Sequence, residues 1–151
     1  MRSSALLVVV LAGCQGNAAP PPPARLELIE APATGDIAAY VAPQRAAAAA
    51  DHKTLVVYVG ATWCEPCRHF HDAAAGHQLD DQFGHLRILA FDADRDGAAL
   101  AAAGYRSPMI SLFALPDADG RASGKQFGGS VKGDGAVAQI APNLRALVAQ
   151  P

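Results

Sequence analysis

The sequence predicts an α/β domain in which a central mixed β-sheet is flanked by helices on both faces. Three observations carry that prediction. Residues 54–59 (Thr54-Leu55-Val56-Val57-Tyr58-Val59) form an unbroken β-branched and aromatic run between polar Asp51-His52-Lys53 and Gly60, the pattern of a strand buried on both faces. Two more apolar runs, 86–91 and 109–115, alternate with helical stretches, an order that favours a sheet covered on both sides. Finally, the chain has 151 residues and is 51% hydrophobic, but 34 residues are Ala, enough for one modest core and not two.

Taken in chain order, a helix is expected over 37–50, weakened by Pro43, and the central strand follows it. The next helix spans 66–75. The strand over 86–91 ends at Asp92, and a strand-end Asp most often caps the following turn or helix. A helix over 97–103 is closed by Gly104. The strand over 109–115 runs into Pro116-Asp117-Ala118-Asp119-Gly120, a turn cluster, so residues 124–127 become its hairpin partner. A last helix covers 136–149. The Ala-rich helix faces suit close packing against a sheet.

Composition also excludes classes. With 12 Lys+Arg against 14 Asp+Glu the formal net charge is -2, so no basic field exists for nucleic acid. No apolar run reaches the roughly 20 residues of a membrane-spanning helix. At the N-terminus Arg2 precedes eight apolar residues, 5–12, the layout of a secretory signal. Leu11-Ala12-Gly13-Cys14 resembles the bacterial lipobox, which implies a signal peptide over 1–13 and a lipid-anchored Cys14; an ordinary signal with an incidental Cys is the other reading. Gln15, not Asp, follows Cys14, which by the same resemblance implies the outer membrane, facing the periplasm. The Pro-rich stretch ending at Ala24 reads as a tether over 14–24, and 25–151 as the single folded domain.

Chemistry concentrates directly after the central strand, in Gly60-Ala61-Thr62-Trp63-Cys64-Glu65-Pro66-Cys67-Arg68. Two Cys separated by two residues at a helix start can close a small disulfide ring, and the helix N-terminus lowers the first thiol's pKa. Pro66 fits the first helical turn, where a missing N–H costs nothing. No second CxxC completes a structural zinc site, and Arg68 rather than His after Cys67 excludes a c-type haem motif.

The strand, the Trp63-Cys64-x-Pro66-Cys67-Arg68 motif and the helix after it resemble the thioredoxin family over roughly residues 55–129. That resemblance implies a thioredoxin-like fold and a thiol-disulfide oxidoreductase using Cys64 and Cys67 as its redox-active disulfide. Cys64 would be the exposed attacking thiolate and Cys67 the partly buried resolving thiol. Trp63 would shield the pair, with simple core packing as its alternative role. Pro108 would match the family's cis-proline and, with Ser107, present backbone to an extended substrate. Glu65 and Pro66 complete the active-site shell. No cofactor is implied. The partners are disulfide-containing envelope proteins as substrates and an upstream dithiol reductant. Because Glu65 and Pro66 stand where strongly oxidising relatives carry a thiolate-stabilising His, the couple should be reducing.

One position departs from the family. A buried Asp six residues before the first Cys is replaced by Tyr58, a poor base because tyrosine ordinarily ionises near pH ~10. Glu65 through water, or bulk solvent, is left to take the second thiol's proton. His69, His71 and His77 read as a solvated helix surface. A rival use exists, since Cys67 and His71 are four apart on one helix face, and Cys64, Cys67 and His71 would suit Cu(I) in a copper-binding chaperone of the same fold. A scaffold with vestigial Cys residues is the third possibility.

Overall fold

The structure, a computed structural model, describes residues 23–150. The expected signal peptide (1–13), Cys14 and most of the expected tether (14–24) lie outside the described residues. The order of elements is β1 (Glu27–Glu30), α1 (Ile37–Ala50), β2 (Thr54–Gly60), α2 (Glu65–Ala75), α3 (Asp80–Phe83), β3 (Leu86–Asp92), α4 (Ala93–Ala102), β4 (Leu112–Pro116), β5 (Ala122–Gly128) and α5 (Gly135–Val148).

The sheet order is β1-β3-β2-β4-β5. β1 and β2 both run parallel to β3, whereas β4 is antiparallel to β2 and to β5. β2 therefore sits at the centre, and six of its seven residues are buried. Because successive side chains on a strand point to opposite faces, β2 feeds two cores. Val56 and Tyr58 join Ile88, Phe113, Phe70, Ile140 and Leu144 on the side of α2 and α5. Leu55, Val57 and Val59 join Leu89, Phe91, Ile37, Val41 and Leu100 on the side of α1 and α4.

Two helices tolerate an internal proline, Pro43 in α1 and Pro142 in α5. Proline in a helix interior removes one backbone bond and ordinarily costs about 3 kcal/mol. Both stand on the solvent side, as do Ala39 and Ala138 four residues earlier, so the freed carbonyls face water rather than the core. Burial of Ile37, Val41 and Ala48 in one helix, and of Ile140, Leu144 and Leu147 in the other, carries the helix through.

Several boundaries differ from the sequence expectation. β1 and α3 had no sequence signal, being four residues each, too short for a periodic pattern. α4 starts at Ala93 because Asp92 Oδ1 accepts the N–H groups of Asp94 and Arg95, and Asp96 is buried against Arg95; the polar run at 94–96 hid this first turn. β4 begins at Leu112, not Met109, and residues 108–111 form a bend.

An aromatic cluster joins the sheet to α2. Phe113 on β4 lies 4.9 Å from Tyr58, 4.8 Å from Phe70 and 4.9 Å from Phe127, ring centre to ring centre. Phe113 is fully buried, so Phe113→Ala leaves a cavity among three rings and should cost about 3–5 kcal/mol, measured by chemical denaturation of the oxidised protein. A loss below about 0.5 kcal/mol, within the range of an ordinary surface substitution, would mean that the cluster does not hold α2 to the sheet.

Candidate active site

β2 ends at Gly60, and four residues later the chain enters α2 with Cys64 as its N-cap. The helix begins there because its buried residues Pro66, Cys67, Phe70, Ala73 and Ala74 recur at helical spacing and dock one stripe onto the sheet. Pro66 occupies the first turn, where no N–H is missed. Cys64 and Cys67 are joined in a disulfide with S–S 2.02 Å and Cα–Cα 5.2 Å.

The Cys67 backbone N–H donates to Cys64 Sγ at 3.3 Å. Sulfur thus fills the position an Asp or Ser oxygen takes at an ordinary helix start. On reduction, negative charge on Cys64 Sγ meets that N–H and the positive end of the helix. In the disulfide both residues are buried, Cys64 5% and Cys67 3% exposed. The expectation of an exposed Cys64 is corrected for this oxidised form, since bonding to Cys67 draws its sulfur into the core edge beside Ala61 and Phe70. What distinguishes the two thiols is the N-cap hydrogen bond rather than accessibility.

Tyr58 lies beneath the pair. Its hydroxyl donates to the Cys67 carbonyl at 3.1 Å. Burial, reinforced by the negative charge of Glu30, pushes its ionisation well above the ordinary tyrosine range. The phenol stays neutral and braces the first turn of α2; it is no base at neutral pH. Gly60 is required beside it, because a Cβ there would come within 2.7 Å of the Tyr58 hydroxyl and 3.3 Å of Cys67 Cβ.

Trp63 is 65% exposed, so it is not a core residue. Its indole N–H donates to Asp94 Oδ2 at 2.9 Å, which ties the ring to α4. Glu65 Oε1 accepts the Gly133 N–H at 3.1 Å and stands 3.7 Å from His69 Nε2. Glu65 therefore fastens the loop between β5 and α5 to the motif. Val131 in that loop and Met109, which sits against Gly129, are the other large apolar side chains exposed among the described residues.

Pro108 does not carry the expected cis bond. Among the described residues the cis peptide bond is Ile110–Ser111, not Ser107–Pro108. The chain reaches β4 three residues later than the sequence suggested, so Ile110 and Ser111 stand at the strand mouth. Pro108 is exposed in the preceding bend. Ser107 Oγ closes that bend by donating to the Met109 carbonyl at 2.6 Å and accepting its N–H at 3.2 Å. The bend packs on Gly128, where a Cβ would come within 2.3 Å of Ser107 Oγ.

His69, His71 and His77 are partly exposed, and each has a carboxylate partner. His69 is near Glu65, His71 Nε2 lies 2.7 Å from Glu30 Oε1, and His77 Nδ1 lies 3.2 Å from Asp80. Among the described residues no group of three or more His, Cys, Asp or Glu is arranged to hold a metal ion. The copper reading built on Cys64, Cys67 and His71 is therefore not assembled: α2 supplies the predicted shared face, but β1 places Glu30 on the imidazole. Glu30 and Gly133 carried no site signal in the sequence, since each arrives from a distant element, and Asp94, which with Asp92 looks like an acidic pair in the sequence, reads there as part of a helix cap and not as a site residue.

By sequence, no protein-family model and no curated protein matches the chain. By structure the chain is similar to a poplar thioredoxin h at 18% identity and a TM-score of 0.52, over 84% of this chain and 99% of that one. Thioredoxin O1 of Arabidopsis thaliana in its oxidized state aligns at 15% identity and a TM-score of 0.45, over 80% and 96% of the two chains. The fold is that of thioredoxin. At this identity the likeness establishes the fold, and the chemistry rests on the residues described above. No helix among the described residues is long and apolar enough to cross a membrane.

Proposed function

We propose that the protein is a thiol-disulfide oxidoreductase of the cell envelope that reduces protein disulfides through the Cys64–Cys67 couple. The observation that carries this reading is the disulfide at the start of α2, with Cys64 Sγ hydrogen-bonded to the Cys67 N–H. Reduced Cys64 is the better thiolate and attacks one sulfur of a substrate disulfide, expelling the other as a thiolate. Cys67, one helical turn on, then attacks Cys64 Sγ. The Cys64–Cys67 bond forms, the mixed disulfide breaks, and the substrate leaves with two electrons gained. A dithiol protein must afterwards re-reduce the pair. The exposed Trp63, Met109 and Val131 offer an apolar rim for an unfolded or extended client.

Two assignments within this reading are tested by substitution and by potential. Cys67→Ser removes the resolving thiol, so mixed disulfides with client proteins should accumulate through Cys64, whereas Cys64→Ser should accumulate none. Equal trapping by both variants, seen on non-reducing gels, would reverse or remove the assigned roles. The direction of transfer follows from local charge. Glu65 opposes the Cys64 thiolate, and Arg68, whose guanidinium donates to the Thr62 carbonyl at 2.9 Å, offsets it only in part. The helix N-terminus is then the main stabilising influence, and the couple should lie nearer thioredoxin, about -270 mV, than the strong oxidants near about -120 mV. Equilibration against glutathione buffers measures it, and a value above about -160 mV would rule out a reductase on that scale.

Placement in the envelope rests on sequence. The charged-then-apolar leader and Leu11-Ala12-Gly13-Cys14 support lipidation of Cys14, with the Pro-rich stretch as spacer and the outer membrane, facing the periplasm, as destination. Acyl chains contribute about 0.8 kcal/mol per buried CH2, so a multiply acylated Cys14 would hold the domain at the membrane. Cys14→Ala should release a soluble or unprocessed form on fractionation; wild type found free in the periplasm would refute the anchor.

A further inference from the structure

The resolving step leaves one proton without a destination. Cys67 must lose its thiol proton to attack Cys64 Sγ, yet it is 3% exposed. Tyr58 is neutral and committed to the Cys67 carbonyl, and Glu65 is committed to Gly133 and His69.

Against Cys67 lies an open cavity of about 420 Å³, walled at its buried end by Tyr58, Gly60 and Ala90 and at its exposed end by Glu30 and His71. Such a volume admits several waters beside polar walls. Four more charged groups line it: Arg68, Asp72, Asp92 and Arg95. Three are engaged elsewhere. Arg68 donates to Thr62 and Arg95 to Asp96 and the Ala31 carbonyl, while Asp92 caps α4. Asp72 lies 3.6 Å from His71 Nδ1, so it adds to the negative surroundings of that imidazole. Glu30 Oε1 is 2.7 Å from His71 Nε2, and its field reaches the Tyr58 hydroxyl behind Cys67.

We propose that the Glu30–His71 pair, reached through water in this cavity, accepts the Cys67 thiol proton during the resolving step, an inference that rests on the exchange reading above. The Cys67 S–H bond breaks and its proton crosses to the imidazole, whose positive charge Glu30 and Asp72 compensate. The electron pair left on Cys67 forms the bond to Cys64 Sγ. The bond between Cys64 and substrate sulfur breaks, and its pair departs on the substrate thiolate. His71, half-exposed, then returns the proton to solvent. Imidazole suits this duty because its ordinary charge change lies closest to neutral pH. Both residues act through water and are positioning residues for the proton, not catalytic groups.

The test separates the two thiols kinetically. The reduced full chain carrying Cys14→Ser is mixed with one equivalent of Ellman's reagent between about pH 5 and 9. The first thionitrobenzoate released reports attack by Cys64, and the second reports resolution by Cys67. Glu30→Gln and His71→Asn should each slow the second release about tenfold near neutral pH, leave the first unchanged, and converge on wild type at high pH, where hydroxide removes the thiol proton. His77→Asn, remote from the cavity, should follow wild type throughout. A second phase that superimposes on wild type in both variants, or a deficit equal at every pH, overturns the relay while leaving exchange intact. Absence of any second release from wild type overturns the exchange reading and the relay with it.

Discussion

Burial of β2 on both faces is the constraint from which the rest of the molecule follows. A strand whose side chains are apolar in both directions has to be covered twice, and α1 with α4 on one side and α2 with α5 on the other do so. It also has to be paired along both edges, by β3 in parallel and β4 antiparallel. A strand fixed on four sides has little freedom at its C-terminal end. The motif that leaves it at Gly60 is thus delivered to one place, above the core and beside the mouth of β4.

The same rigidity makes the helix start useful. A sulfur at an N-cap receives a backbone N–H whether it is bonded or free, and here Cys67 donates to Cys64 Sγ at 3.3 Å. The donor is held because Phe70, one turn further along α2, is locked between Tyr58 and Phe113. The electrostatic preference for charge on Cys64 thereby rests on packing some distance away. Trp63 and Glu65, on either side of Cys64, are tied in turn to Asp94 on α4 and to Gly133 before α5. Those two ties fix the exposed side chains of the motif, while Ala61, Cys64 and Cys67 pack into the edge of the core.

Tyr58 shows how a strand position can change its chemistry without changing the fold. An aromatic ring at that site completes the cluster with Phe70 and Phe113, and its hydroxyl finds the Cys67 carbonyl instead of standing ready as a base. Burial and the charge of Glu30 both favour the neutral phenol. Acid–base capacity near Cys67 is then found at the rim, where Glu30 closes the parallel side of the sheet against His71. Carboxylate and imidazole remain wet enough there to exchange protons, whereas a carboxylate at the Tyr58 position would meet the desolvation that a buried aromatic site imposes.

The sequence by itself determined what depends on neighbours along the chain. The unbroken apolar run of 54–59 marked the buried central strand, the Cys64-Glu65-Pro66-Cys67 spacing marked a disulfide at a helix start, and Asp92 announced a cap. Each is a local rule of backbone geometry, so the chain carried it in readable form. Tertiary structure decided everything set by approach between distant segments. β1 is four residues long and exists because β3 presents a free parallel edge, and only that pairing brings Glu30 to His71. The strand mouth fell at Ile110–Ser111 instead of Pro108 because the pairing of β4 with Val59 and Gly128 fixes where the bend ends. Contacts of this kind join residues far apart in the chain, 68 positions in the case of Glu65 and Gly133. Their energies depend on how two packed surfaces meet, and no stretch of sequence encodes that alone.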